Sequence, residues 1–211
     1  MAERTLYHFR MSPFSRRARL ALAHKGLLAG TTLRDARAEP ANMEQVKKVS
    51  ATETVPVLVD GGRVVTDSTA LLHYLDRAYP EAPRLFAEDL DAFARELEIV
   101  TLVDAVLNPV VDLGSRYHWL ATSMHWAETV SERKDRIFAA TARLVEAARS
   151  LRGWGAAELS LFTMVLWFEG LPARVGQTPA IERILELGVT MPPELVTWAE
   201  PHHARDDVRA L

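Results

Sequence analysis

The sequence predicts a small mixed α/β domain followed by a larger all-helical domain. Short runs of β-forming residues alternate with helical patterns up to about residue 80, two prolines then interrupt regular structure, and only helical periodicity follows. Alternating strands and helices are typical of an α/β layer, whereas successive helices without strands pack against one another. We therefore expect domains at residues 1–80 and 88–211, joined by a linker at residues 81–87.

Composition restricts the classes of function. The chain has 211 residues, of which 48% are apolar and 25% charged, with a net charge of −3 and no cysteine. This balance supports a globular core and gives no basic surface for nucleic acid. Without cysteine, disulfides, thiolate metal sites and a cysteine nucleophile are excluded. No long apolar run or signal-peptide core occurs, so we expect a cytoplasmic protein with no membrane contact.

The first elements predicted are a strand, a helix and a second strand. Residues 5–9 and 31–35 are rich in β-formers, and residues 13–25 have a helical pattern. Pro13 suits the first helical position, where a missing N–H costs nothing, and Gly26 suits the C-terminal cap. A single helical turn is expected near residues 43–48.

A hairpin and a third helix follow. Residues 55–65 contain two runs of branched residues around Asp60-Gly61-Gly62, which is a typical hairpin sequence. The helix after it should extend to about Tyr79. Its apolar stripe consists of Leu71, Leu72, Leu75 and Ala78.

The second half of the chain is predicted to be helical throughout. A helix that begins near Leu90 should kink or end at Pro109, and Thr129 to Glu132 has the sequence of a capping box. Residues 159–168 are apolar on all sides and predict a buried helix. The stripe after the capping box consists of Ile137, Thr141, Leu144, Ala148 and Leu151, and shorter helices are expected at residues 180–187 and 193–199.

Ser12 is the first candidate functional residue. It lies between the first strand and the first helix, where its hydroxyl can cap the helix. The free N–H groups and the positive dipole end of that helix would stabilise an anion, and a thiolate in particular. For an isolated Ser-Pro pair a purely structural cap is the simpler interpretation, so further support is needed.

Residues 12–22, Ser-Pro-Phe-Ser-Arg-Arg-Ala-Arg-Leu-Ala-Leu, resemble the first loop and helix of serine-type members of the glutathione transferase superfamily. Two more matches to that family lie downstream, at Val55-Pro56 and at Asp67-Ser68. The order of strands and helices is similar to that of a thioredoxin-like domain, and a helical domain after it completes the family's architecture. The resemblance implies an N-terminal thioredoxin-like domain followed by a C-terminal helical bundle domain.

The same resemblance implies glutathione as co-substrate and Ser12 as the catalytic residue. A cis bond before Pro56 would turn the backbone groups of Val55 toward the tripeptide, which could pair with them like an added strand. Asp67 and Ser68 would bind the γ-glutamyl amine and carboxylate. No metal is expected. The implied glutathione-binding residues are Phe14, Thr54, Val55, Pro56, Asp67 and Ser68.

The implied mechanism activates a thiol that belongs to the ligand. A hydrogen bond from Ser12, added to the helix dipole, would lower a thiol pKa of about 8.5 by about one to two units. The thiolate would attack a small electrophilic, largely apolar substrate. That substrate would lie between the loop at Met11 and the helical domain, against Tyr117 or Trp119.

Two departures from the family pattern keep alternatives open. Glu39 stands where relatives have lysine, and its carboxylate would repel the glycyl carboxylate of glutathione. Arg37 could take the place of the missing cation. Residues 50–54 lack the family's usual Asn-Pro pair. The alternatives are a glutathione-dependent isomerase of the maleylacetoacetate type and a non-catalytic binding protein of the stringent-starvation type. Family resemblance also implies a homodimer and a role in detoxification.

Two further clusters receive structural interpretations. Arg16, Arg17 and Arg19 predict a solvated or dimer-facing side of the first helix and not an anion site. His202 and His203 are adjacent, so they do not share a helix face, and no third ligand accompanies them. A solvated tail is the expectation there.

Overall fold

A computed structural model describes residues 3–116 and 126–211 of the chain. The first part is a four-stranded mixed sheet with three helices, and the remainder of the described chain is helical. The elements of the first part are β1 (Arg4–His8), α1 (Pro13–His24), β2 (Thr31–Asp35), α2 (Pro40–Val49), β3 (Val57–Asp60), β4 (Arg63–Thr66) and α3 (Ser68–Ala78). Those of the second are α4 (Leu90–Val111), α5 (Trp126–Ala148), α6 (Ala156–Glu169), α7 (Pro179–Glu186), α8 (Pro193–Ala199) and α9 (Asp206–Arg209).

The sheet has the strand order β2-β1-β3-β4, with β1 parallel to β2 and the other two pairs antiparallel. Tyr7 of β1 pairs with Val57 of β3, and Val57 pairs with Thr66 of β4. The C-terminal ends of β1 and β4 and the N-terminal end of β3 therefore lie at one edge of the sheet. The three segments singled out from the sequence are attached to this edge.

The predicted strands and hairpin are confirmed. The two glycines of the hairpin turn, Gly61 and Gly62, have φ values of 54° and 86°. Both values lie in the left-handed region that glycine adopts without a Cβ clash, and a type I′ turn requires it at both central positions. Gly26 has a φ of 69° directly after α1, as a helix C-terminus predicts.

Three helix predictions need correction. The single turn expected at residues 43–48 is the ten-residue helix α2, because Pro40 starts it and its polar residues form a solvent-exposed side. Thr129 is no cap, since α5 already runs from Trp126. Helix α4 does not end at Pro109 but continues to Val111, before a π-helical turn at Asp112–Arg116, and a kink at Pro109 stays a prediction.

The apolar stripes are mostly confirmed. Leu71, Leu72 and Leu75 of α3 are fully buried, and the stripe of α5 faces the core as well. Ala78 is exposed because α3 ends there, and Leu90 is 75% exposed at the start of α4. Helix α6 is buried almost throughout and packs on α1 and α4, so it holds the two parts of the chain together. None of the helices in the described ranges is long and apolar enough to cross a membrane.

The N-terminus of α6 docks tightly on the segment between α3 and α4. Ala156 N–H donates to the carbonyl oxygen of Leu85 at 2.6 Å, and a Cβ on Gly155 would lie 2.6 Å from that same oxygen. Only glycine fits such a close approach of two backbones. The Glu158 carboxylate accepts the N–H groups of Gly153 and Gly155 at 3.1 and 3.0 Å, which caps the helix from within its first turn.

Candidate active site

Ser12 is held at the N-terminus of α1 with its hydroxyl proton uncommitted. Its backbone is extended, with φ −72° and ψ 129°, and its Oγ accepts the N–H of Ser15 at 3.3 Å. A serine hydroxyl can accept two hydrogen bonds and donate one. Within the described residues the Ser12 proton has no acceptor, and the residue is only half-buried. The side chain can therefore donate to a ligand atom placed beyond the helix end.

The loop that carries Ser12 is anchored on both sides. Buried Ser15 accepts the N–H of Phe9 on its Oγ at 3.1 Å, and Ser12 N–H donates to the Phe9 carbonyl at 3.0 Å. From α6, the Trp167 indole Nε1–H donates to the carbonyl of Met11 at 3.0 Å. The position of the hydroxyl is thus set by packing and hydrogen bonds, which is what preorganised donation requires.

The second segment presents free backbone groups at the same sheet edge. The Val55–Pro56 peptide bond is cis, as the resemblance implied, and Pro56 is buried. In the described part of the chain neither the N–H nor the C=O of Val55 has a hydrogen-bond partner. Such a pair of groups can bind an extended peptide. Thr54 is half-buried beside it, and its Oγ1 lies 2.8 Å from that of Thr52.

The third segment is the N-terminus of α3. Asp67 Oδ1 accepts the N–H groups of Thr69 and Ala70 at 2.8 and 3.0 Å, which leaves Oδ2 open to solvent and to a cation. Asp67 has a φ of 77°, a conformation that costs a non-glycine residue free energy and is concentrated at functional sites. Ser68 is only 1% exposed, so its side chain mostly faces protein.

Arg17 joins these segments to the helical domain. Its side chain is fully buried, and Nη1 donates to Ser68 Oγ at 3.3 Å and to Thr69 Oγ1 at 3.2 Å. Nη2 donates to Asp104 Oδ1 of α4 at 2.6 Å. Thr69 Oγ1 also donates to Asp104 Oδ2 at 3.0 Å, which closes the network. The guanidinium therefore places a positive charge directly behind the Ser68 hydroxyl.

The solvated helix side, one of the two alternatives predicted for the three arginines, is wrong. Arg17 is fully buried, Arg19 is 5% exposed and Arg16 is half-buried, because α1 lies between α3 and α6 and not at the surface. One signal in the sequence pointed to this. Asp104 interrupts an otherwise apolar stripe of α4, and a carboxylate on a buried helix face needs a cation.

Phe14 lies beside the same network. Its ring is half-buried, and the Arg17 guanidinium carbon lies 5.9 Å from the ring centroid, which is within the range of a cation–π contact. Phe14 N–H, in the first turn of α1, has no partner among the described residues. Both features put positive potential near the N-terminus of α1.

The departures from the family pattern have defined positions. Glu39 is exposed, and its Oε2 accepts the side-chain N–H of Asn42 at 3.3 Å. The Arg37 guanidinium lies over the ring of Phe9, 4.3 Å from its centroid, next to the loop that carries Ser12. Tyr117 and Trp119, expected to contact the second substrate, fall outside the described residues.

The prediction of a solvated tail is wrong for His202 and holds for His203, which is exposed. His202 is half-buried and stacks on Trp154 with ring centroids 4.6 Å apart, and burial lowers the pKa of its imidazole. His203 packs edge-on against Phe162 at 5.2 Å. Among the residues that the structure describes, no group of His, Asp and Glu side chains is arranged to hold a metal ion.

Comparison with known proteins covers the first half of the chain in sequence. Residues 6–83 match the family "Glutathione S-transferase, N-terminal domain". Glutathione S-transferase Z1 of Arabidopsis thaliana is 36% identical over 116 residues, which are 52% of this chain and 49% of that protein. Probable maleylacetoacetate isomerase 1 of Drosophila melanogaster is 30% identical over 127 residues, or 58% and 51%. The chain thus spans about half the length of the curated relatives it matches.

Solved structures extend the likeness to the whole fold. A glutathione transferase family member from Pseudomonas fluorescens Pf-5, crystallised with bound glutathione, aligns with a TM-score of 0.76 at 23% identity over 99% of this chain and 98% of that one. Rice GST1 in complex with glutathione aligns with a TM-score of 0.62 at 25% identity, over 99% and 90%. Fold and site together define a thioredoxin-like domain followed by a helical domain. The sequence match is thus to the N-terminal domain of glutathione S-transferases over residues 6–83, and the solved structures show the same fold along the rest of the chain.

Proposed function

We propose that this protein is a glutathione transferase in which Ser12 activates the thiol of bound glutathione. The observation that carries the proposal is the Ser12 hydroxyl, whose oxygen is fixed by the Ser15 N–H while its proton stays available at the N-terminus of α1. Relatives named glutathione S-transferases support it. A thiolate bound there accepts a hydrogen bond and is attracted by the positive end of the helix dipole. Both interactions stabilise the thiolate more than the neutral thiol, so they lower the pKa of the thiol.

Glutathione would lie along the sheet edge formed by the three segments. Its cysteinyl part pairs with the N–H and C=O of Val55, next to Pro56. Its γ-glutamyl amine meets the free Oδ2 of Asp67, and its γ-glutamyl carboxylate meets the N-terminus of α3 at Ser68. The Arg17 charge behind Ser68 adds to that attraction. Phe14 and Thr54 line the remaining sides.

The reaction needs no covalent bond to the protein. The thiol proton leaves to solvent, and its pKa falls from about 8.5 by about one to two units. The sulfur then forms a bond to an electrophilic carbon of a small, largely apolar second substrate. In a substitution, a leaving group departs with the electron pair of its bond to that carbon. In an addition, the π pair of an activated double bond moves onto the activating group, and a proton from solvent completes the product.

The second candidate function is a glutathione-dependent isomerase. The relative named probable maleylacetoacetate isomerase 1 favours this reading. In such a reaction the same thiolate would add to a double bond, allow rotation and leave again. A non-catalytic binding protein is the third candidate, and the features that favour it are Glu39 in place of a cation and the altered loop at residues 50–54.

The proposal also includes the organisation of the protein. The glutathione-binding domain spans residues 1–80, the linker 81–87 and the helical domain 88–211. We propose a homodimer, since the edge strand β4 carries Val64 and the helix α5 carries Phe138, both more than two-fifths exposed. A cytoplasmic location and a role in detoxification complete it.

One experiment separates these candidates. Glutathione is titrated into the full chain by calorimetry, and the ionisation of the bound thiol is followed by its ultraviolet thiolate absorbance as the pH rises. Conjugation to chlorodinitrobenzene is then measured for the wild type, for Ser12→Ala and for Ser150→Ala, an exposed hydroxyl control at the end of α5.

A transferase binds glutathione, lowers its thiol pKa and conjugates it, and Ser12→Ala slows conjugation by about ten- to a hundredfold while Ser150→Ala does not. Binding with a lowered thiol pKa but without conjugation of any aromatic halide would favour the isomerase. Absence of glutathione binding at millimolar concentration would refute both and leave the binding protein.

A further inference from the structure

Trp167 is the residue through which the helical domain contacts the loop of Ser12. It lies in the last turn of α6 and is 5% exposed, and its Nε1–H donates to the Met11 carbonyl at 3.0 Å. In the described ranges no other hydrogen bond joins the backbone of residues 9–12 to the helical domain. This bond therefore links α6 to the residue directly before Ser12.

The peptide group between Met11 and Ser12 is held from two directions. It is a trans peptide, so its C=O and its N–H point opposite ways in one plane. The Met11 C=O accepts the Trp167 indole N–H, and the Ser12 N–H donates to the Phe9 carbonyl at 3.0 Å. One bond comes from the helical domain and the other from within the loop. Together they restrain rotation of the peptide plane.

The orientation of this plane affects where the Ser12 hydroxyl points. Rotation of the plane changes the φ angle of Ser12, which is −72°, and so moves its Oγ relative to the start of α1. The restraint on the Oγ itself is the Ser15 N–H at 3.3 Å, which is long for an N–H···O hydrogen bond. Because this local bond is weak, the shorter bond to Trp167 contributes strongly to the direction of the hydroxyl.

Helix α6 is a firm support for such a contact. It is buried almost throughout, and its N-terminus is fixed where Ala156 N–H donates to the Leu85 carbonyl. The Phe168 ring packs edge-on against the Trp167 ring, with centroids 5.1 Å apart. A buried indole N–H needs an acceptor in any case, which is the structural explanation of the bond. That need does not explain why the acceptor is the carbonyl next to Ser12.

We propose that the Trp167 indole N–H is a positioning group that orients the Ser12 hydroxyl toward the sulfur of bound glutathione. The inference rests on the proposed function, because it explains how Ser12 is aimed and adds no further ligand. Trp167 acts through the Met11 carbonyl and not by contact with the reacting atoms. Small displacements of a donor reduce catalysis strongly, so a support of this kind has a measurable effect.

The test compares the wild type with Trp167→Phe, which keeps a buried ring and removes the donor. Thiolate absorbance gives the pKa of bound glutathione, calorimetry gives its Kd, and conjugation to chlorodinitrobenzene is measured from pH 6 to 9. We expect a thiol pKa higher by about half to one unit and conjugation slower by about three- to tenfold at pH 6.5. At pH 9, where the thiol ionises unaided, the loss should be under about twofold. The Kd should stay within about twofold.

Two comparisons separate positioning from a general loss of stability. Trp198→Phe is the matched control, since that indole is half-buried against His202 at 4.8 Å and donates no hydrogen bond in the described chain, and the thiol pKa should not change. In a Ser12→Ala background, Trp167→Phe should no longer alter the thiol pKa, because the hydroxyl that it orients is gone. If Trp167→Phe does not fold, benzothienylalanine at this position keeps the ring shape without the N–H.

The outcomes distinguish this inference from the proposed function. A thiol pKa that is lowered in the wild type and equally lowered in Trp167→Phe would overturn the inference and leave the proposed function intact. An effect that persists in Ser12→Ala, or an equal effect of Trp198→Phe, would also overturn it. If glutathione bound to the wild type keeps its ordinary thiol pKa, the proposed function fails and the inference fails with it.

Discussion

Two sides of the same helix carry the same residue type in opposite electrostatic settings. On one side of α1, Arg17 is fully buried and bonded to Asp104, Ser68 and Thr69. On the other, Arg16 and Arg19 lie with other arginines around a cavity and have no carboxylate bonded to them in the described chain. The role of a buried arginine therefore depends on its partner and not on its burial.

This difference has a consequence for stability. Arg17, with a carboxylate oxygen at 2.6 Å, links the two domains. The arginines without a bonded carboxylate repel one another, which opposes folding. The predictions that follow test this contrast, beginning with the largest effect.

Removing the acid on the paired side should cost the most. In Asp104→Asn the fully buried Arg17 guanidinium loses its counter-charge, and we expect about 3 kcal/mol less unfolding free energy, measured by urea denaturation. Asp206→Asn, at a fully exposed carboxylate, is the control and should change it by under about 0.5 kcal/mol. Equal costs for the two variants would show that the Arg17–Asp104 pair carries no net stability.

Arg17→Lys should weaken glutathione binding by about tenfold. Lysine keeps the charge but cannot donate to Ser68, Thr69 and Asp104 together in the planar arrangement of a guanidinium. The adjacent Arg16→Lys, on the other side of the helix, should leave glutathione affinity within about twofold. Calorimetry measures both, and an equal loss in the two variants would contradict a specific link between Arg17 and Ser68.

Arg16→Gln should stabilise the protein by about 0.5 kcal/mol, because it removes the charge of a half-buried arginine that its neighbours Arg174, Arg19 and Arg10 repel. The gain should shrink in high salt. Arg34→Gln, at an exposed arginine of β2, is the control without effect. A loss of stability in Arg16→Gln at low salt would mean that the arginine packs favourably despite its neighbours.

The smallest expected effect is on His8, whose ring is buried beside Arg19. Burial and then the charge of Arg19 lower its pKa from the ordinary 6.5. The unfolded state therefore binds the proton first as the pH falls. The contribution of His8 to stability is fully present above about pH 6.5 and is lost progressively below it, until the folded protein also protonates.

Arg19→Gln should raise the pKa of His8 toward 6.5 and flatten that fall in stability. Proton NMR titration of the imidazole and urea denaturation at several pH values measure the two effects. His73 and His202 also have lowered pKa values, and they contribute equally in both proteins. An unchanged pKa of His8 in Arg19→Gln would show that the charge of Arg19 does not lower it.

Much of the fold and of the candidate site follows from local sequence. Local residues, within a few positions of each other, determine the strands, the hairpin with its glycine turn, and the helix caps at Ser12 and Asp67. These features can therefore be predicted from the sequence. The same holds for Val55-Pro56. The errors at α2 and α5 concern where each helix begins, which tertiary packing decides.

What the sequence alone determined is therefore the order of elements and the three segments that meet at one sheet edge. What only the tertiary structure decided is the fate of the arginines. Arg17 finds its acid 87 positions away, and Arg174 joins Arg16 and Arg19 from the far end of α6. Pairing of charged residues depends on their distance in space. The sequence does not show which charged side chains the fold brings within a few ångströms of each other.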